Sequence, residues 1–144
     1  MTTSRMVAAA AAVALCAAPV LARADVPVRV RVVKGSRQTP PRFDPRLSDL
    51  KKQLSRLSYS QWEQVKEQDL TMSPGKTEFV ELPGGEHVGL TVVDVRGDTV
   101  TFEVAMATRN TQSRLTIDKN QRIVHQVSPE KGGVAYFMSA RAWP

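Results

Sequence analysis

Residues 99–107 set Val100, Phe102, Val104 and Met106 in alternation with Thr101, Glu103 and Ala105. Only a pleated strand keeps such a set on one side, because its side chains repeat every second residue and those of a helix every ~3.6. Gly97-Asp98, a tight-turn pair, precedes the run, and before it residues 87–96 place Val88, Leu90 and Val92 on one face. Together they predict a hairpin. The doublet Val92-Val93 breaks the alternation and marks a bulge.

The same pattern recurs on both sides. Residues 76–82 read as a strand ended by Pro83-Gly84-Gly85, and 113–118 place Leu115 and Ile117 two apart. Lys119-Asn120 turns the chain into 121–127, where Ile123, His125 and Val127 share a side, and 133–143 form a last strand. Residues 61–72 hold Trp62, Val65, Leu70 and Met72 among polar neighbours; Trp62 to Val65 could extend a preceding helix, but the later part suits an exposed edge strand, and strand is the expectation. One helix is expected over 44–57. Asp44 is its N-cap, Pro45 fits the first turn, and Leu47, Leu50, Leu54 and Leu57 form one stripe. The fold class is mainly β with one helix (α+β): an antiparallel meander sheet or small sandwich packed against an N-terminal amphipathic helix. Strand–helix alternation is missing, which argues against a parallel nucleotide-binding sheet.

The first 24 residues carry a different message. Arg5 precedes an apolar run from Met6 to Leu21, and Ala22-Arg23-Ala24 follows. This is the pattern of a secretory signal peptide cut between Ala24 and Asp25, and the Pro19-interrupted run is short for a transmembrane anchor. The expected destination is the periplasm or the extracellular space. Cys16 is the only cysteine and leaves with the signal, so the mature domain is cysteine-free. That excludes a disulfide framework, a zinc–cysteine site and a cysteine nucleophile. Acylation at Cys16 would need a small residue before it, and Leu15 stands there.

Cleavage lowers the basic count from 20 to 18 against 14 acidic residues. The excess lies near the new N-terminus: Arg29, Arg31, Lys34, Arg37, Arg42 and Arg46 face only Asp25 and Asp44, whereas from Leu47 onward the charges balance. The chain thus divides into a signal peptide (1–24), a basic, Pro-containing arm or linker (25–43) and a single domain (44–144). Val26, Val28, Val30 and Val32 in the arm have strand period, suited to a sheet edge or a frayed terminus. Its five basic residues, with Arg46 just beyond it, are the candidate contacts for an anionic partner. They lack interleaved aromatics for base stacking, so nucleic acid is not the expected partner.

Catalytic patterns are sparse. His87 and His125 have no metal-ligand spacing, and Ser128 and Ser139 lack a nucleophile elbow. Glu78 and Glu81 fall on opposite faces of a strand, Asp94 and Asp98 flank a turn, and Arg96-Gly97-Asp98 is that turn and not an adhesion motif. No cofactor is implied. Phe43-Asp44-Pro45-Arg46-Leu47, Leu57-Ser58-Tyr59, Pro74-Gly75-Lys76-Thr77 and Leu82-Pro83-Gly84-Gly85 resemble segments of small exported bacterial proteins of uncharacterised function, over residues 43–140. The resemblance implies no site and no activity. The expectation is a non-catalytic binding or accessory/scaffold domain of the cell envelope, its partner another envelope protein or an anionic envelope polymer. The alternative is a small secreted hydrolase, or a hydrolase inhibitor presenting loop 109–113 or 129–133.

Overall fold

The computed structural model describes residues 24–106 and 111–143. The expected signal peptide, apart from Ala24, and part of loop 109–113 lie outside them. The described residues form nine strands in two sheets. β1 (Val26–Ser36), β2 (Arg42–Phe43), β3 (Gln61–Met72), β8 (Ile123–Gln126) and β9 (Val134–Ala142) make sheet A in the order β2-β3-β1-β9-β8. β4 (Thr77–Glu81), β5 (His87–Arg96), β6 (Thr99–Met106) and β7 (Thr111–Asp118) make sheet B, a meander in chain order.

The hairpins in sheet B follow the alternation. Val88, Leu90, Val92, Val100, Phe102, Val104 and Ile117 are buried on the face turned toward sheet A, where they meet Val26, Val28, Val30 and Val32 of β1 with Met138 and Ala140 of β9. The bulge expected at the valine doublet is present: Val92 pairs Phe102 and Asp94 pairs Thr101, leaving Val93 extra. Two turns require left-handed backbone. Gly97 has φ 58° and Asn120 has φ 63°, the second in a conformation that asparagine tolerates better than most side chains.

Residues 25–43 are not an arm outside the domain. β1 is the middle strand of sheet A, paired antiparallel with β3 on one side and β9 on the other. The physical reason is its unbroken valine face, which is the apolar wall opposite sheet B. The strand also runs through Lys34 and Gly35, where an extended linker was expected.

The helix is shorter than its leucine stripe suggests. Asp44 caps it by accepting the Arg46 N–H at 3.0 Å, a 3-10 turn covers Pro45–Leu50, and only Lys51–Leu54 (α1) is α-helical. Ser55 Oγ then folds back on the Lys51 carbonyl at 2.6 Å, and Leu57 is exposed. Leu47, Leu50 and Leu54 pack on the outer face of sheet A, against Val33, Trp62, Ala135 and Phe137, and not in the layer between the sheets. Tyr59, Trp62 and Phe137 meet edge to face with centroids 5.2–5.6 Å apart.

A second bulge decides which side chains share that outer face. Val32 pairs Lys66 and Val33 pairs Gln64, so Val65 has no partner and β3 changes faces there. Trp62 and Gln64 therefore point outward beside the helix, while Lys66, Gln68, Leu70 and Met72 point toward sheet B. Glu67 and Asp69 are thereby placed outward, next to Arg31 and Arg29.

Candidate functional site

The outer face of sheet A has two halves. The helix covers the apolar half. The other half is polar and holds a cavity of about 360 Å³ whose walls include five arginines: Arg29, Arg31, Arg46, Arg122 and Arg141. β1 supplies Arg29 and Arg31, the 3-10 turn Arg46, the segment before β8 Arg122, and β9 Arg141.

Four of the five are neutralised by carboxylates. Arg31, only 9% exposed, grips Asp49 with both terminal nitrogens, Nη1–Oδ1 at 3.0 Å and Nη2–Oδ2 at 2.6 Å. Arg122 Nε donates to the same Oδ2 at 2.7 Å. The Arg31 hydrogen bond is the main reason that the Asp49 carboxyl titrates below its ordinary range, against the opposing effect of burial. Arg29 Nε donates to Asp69 at 2.9 Å and lies 3.4 Å from Glu67. Arg46 forks onto Asp44 and reaches the Gln64 carbonyl at 3.1 Å. Asp44 also accepts the Gln64 N–H at 2.9 Å, and its carboxyl is held far below the usual range, chiefly by Arg46.

Arg141 is the exception. Register sets it directly across from Arg29 on the same face, while Ser139 lies across from Arg31. Like charges at directly opposed positions repel. Arg29 is balanced from the β3 side, but Arg141 has no carboxylate partner among the described residues. Its Nη2 reaches Asn120 Oδ1 at 3.3 Å, and its guanidinium lies 4.8 Å from the Trp143 ring centre. Its Nε is buried and has no hydrogen-bond acceptor. An unpaired buried N–H costs about 1–3 kcal/mol, more when the group is charged. The Ser139 side chain, 2% exposed, borders the same cavity.

The six arginines and lysines expected to meet an anion do not converge. Arg29, Arg31 and Arg46 enter this cavity. Lys34 and Arg42 border a second depression of about 390 Å³ near Gln61 and Glu63, which Arg46 also reaches. Arg37 ion-pairs with Glu130, donates to the Ser58 carbonyl at 3.0 Å and lies 5.0 Å from the Tyr59 ring centre, so it fastens loop 129–133. Arg122 and Arg141 were missed, since they belong to the charge-balanced part of the chain. The only sequence signal for Arg141 was its place two residues after Ser139, opposite the Met138–Ala140 face.

His87 begins β5 in sheet B, and His125 lies on β8 in sheet A, half-buried, with its pKa lowered by desolvation. Among the described residues, neither histidine forms the histidine–carboxylate hydrogen bond that a hydrolase would use. Among the described residues no group of three or more His, Cys, Asp or Glu side chains could hold a metal ion, and no helix is long and apolar enough to cross a membrane. No protein-family model matches the chain, and neither the curated proteins nor the solved structures contain a significant match.

Proposed function

We propose that the chain is an exported, non-catalytic binding or scaffold domain of the bacterial cell envelope whose docking surface is the arginine-lined outer face of sheet A. The partner is another envelope protein or an anionic envelope polymer. Arg141 carries this reading: a guanidinium opposite another guanidinium, at a cavity wall, with a buried donor and no carboxylate partner among the described residues. A bound anion supplies the missing acceptor and offsets the Arg29–Arg141 repulsion. Export is supported by the leader pattern and by a first strand that begins directly after the expected cleavage point.

The test uses the mature chain from Asp25 on immobilised dextran sulfate and on uncharged dextran. Retention on the sulfated matrix should weaken as salt is raised, because counterion release drives such binding. The double variant Arg29→Ala/Arg141→Ala should lose more retention than Lys76→Ala/Lys119→Ala, which removes the same charge elsewhere. Equal losses in the two variants, or salt-independent retention, overturn the proposed docking surface. Recovery of a chain beginning at Asp25 from the periplasm or medium tests export, and retention of residues 1–24 on the cytoplasmic protein overturns it.

A further inference from the structure

Resting on that docking surface, we infer that the Arg141–Ser139 end of the cavity is a phosphate-group subsite, and that a phosphate ester is the chemical group by which the partner is anchored. The donors not used inside the protein determine the ligand's shape. At Arg31 and Arg46 the planar, two-pronged mode of carboxylate recognition is already occupied within the fold: Asp49 fills the Arg31 fork and Asp44 fills the Arg46 fork. What remains at the other end comes from separate groups. Among the described residues Arg141 offers a buried Nε without an acceptor, Ser139 offers a hydroxyl at the cavity wall that has no hydrogen-bond partner, and Arg29, opposite Arg141, keeps terminal nitrogens beyond the Nε that binds Asp69.

These donors stand on two adjacent strands at neighbouring register positions, Arg141 across from Arg29 and Ser139 beside them across from Arg31. A carboxylate presents two oxygens in one plane. A phosphate monoester presents three from a tetrahedral centre, so it can accept from two guanidinium groups and a hydroxyl together. Its greater charge also answers the local excess: five arginines border the cavity, and the carboxylates that bind them are Asp44, Asp49, Glu67 and Asp69. The Trp143 ring centre lies 4.8 Å from the Arg141 guanidinium and 5.8 Å from that of Arg29, so both cations lie within cation–π distance of one ring.

The decisive measurement is an NMR titration of the mature chain. It follows the Arg141 Nε–H resonance, assigned by its disappearance in Arg141→Lys, against inorganic phosphate and, separately, acetate. Phosphate should shift this resonance and slow its exchange with water, with acetate binding at least tenfold more weakly. Arg141→Lys should weaken phosphate binding by about tenfold, the value of one lost charge-assisted hydrogen bond, and Ser139→Ala by roughly fivefold. Vesicles of phosphatidic acid, a phosphate monoester, in phosphatidylcholine separate the sources of the group. Sedimentation with them that is lost in Arg141→Lys assigns a lipid headgroup, and phosphate binding without it assigns a soluble or polymer-borne ester. Equal binding of acetate and phosphate at Arg141 overturns the phosphate assignment while leaving the docking surface standing. An unshifted Arg141 resonance, with dextran sulfate retention intact, overturns the subsite alone. Loss of that retention as well overturns both proposals.

Discussion

Asp49 and Arg31 join the helical segment to the middle strand of sheet A through two parallel hydrogen bonds of 2.6 and 3.0 Å, and Arg122 closes on the same carboxylate from the other side. Gln53 Nε2 adds a bond to the Arg122 carbonyl at 2.9 Å. The polar cavity and the leucine cluster thus share one wall. Asp49→Asn keeps the shape and removes the charge that balances a guanidinium only 9% exposed. The expected loss is about 2–3 kcal/mol in urea denaturation, below that of a fully buried pair because Asp49 remains partly solvated. Arg31→Met/Asp49→Leu should recover most of it, since two apolar groups leave no unpaired charge.

Acid should weaken the fold in two stages of the same sign. Burial lowers the His125 pKa from 6.5, so the unfolded chain binds the proton more readily and stability begins to fall below pH 6.5. The Asp44 and Asp49 carboxyls are depressed from 3.8 by their arginines, so their contribution is complete above that pH and is lost as pH drops through the folded-state values. Denaturation midpoints across acid pH check this. His125→Asn should remove the first decline and Asp49→Asn should flatten the second.

Gly35 lies beneath the aromatic cluster. A Cβ there would stand 2.9 Å from Trp62 Cζ3, 3.1 Å from Tyr59 Cγ and 3.2 Å from Phe137 Cε2. Rings locked edge to face cannot all retreat, so Gly35→Ala should cost roughly 1–3 kcal/mol by overpacking. Thermal melts would register it, with near-ultraviolet circular dichroism reporting the displaced Trp62.

The Val65 bulge predicts opposite outcomes for two deletions three residues apart in sequence. Removing Val65 leaves Gln64 opposite Val33 and Lys66 opposite Val32 in a regular ladder, every side chain on its present face. That variant should fold with a loss below about 1.5 kcal/mol. Removing Gln68 lets the bulge be absorbed but moves Glu67 into the half-buried position opposite Val30 and sets Lys66 opposite Arg31 in place of Glu67, like charge against like. Its urea midpoint should fall well below that of the Val65 deletion, which stays near that of the parent chain.

A chain beginning at Phe43 should not fold. It loses β1, bonded on both edges, together with the buried Val26, Val28, Val30, Val32 and Val33. At about 1.5–3 kcal/mol for each buried valine the loss exceeds the stability of most small domains. Circular dichroism of that fragment checks the point; a native strand spectrum would return residues 25–43 to the status of an arm.

Local periodicity carried the strands well. The β5–β6 hairpin, the Val92-Val93 bulge, the Asn120 turn and the Asp44 cap were legible because each depends on residues a few positions apart. The weak pattern of β3 was also a strand, though its hidden bulge means that Trp62 and Met72, in phase along the chain, face opposite ways. The basic excess was legible as a count but not as a surface: the pleat of β1 sends Arg29 and Arg31 to one side and Lys34 to the other, and Arg37 is taken up by Glu130.

By itself the sequence determined a strand-rich domain with its turns and, outside the hidden bulge of β3, which side chains of a strand share a face. Only the tertiary structure decided that β1 is central and that Arg141 stands across from Arg29. Alternation sets a strand's two faces, but its neighbours are set by hydrogen bonds between segments remote in the chain. The partners of β1 are β3 and β9, and the second lies at the far end of the domain. No local pattern encodes that choice; burying the valine face against sheet B does.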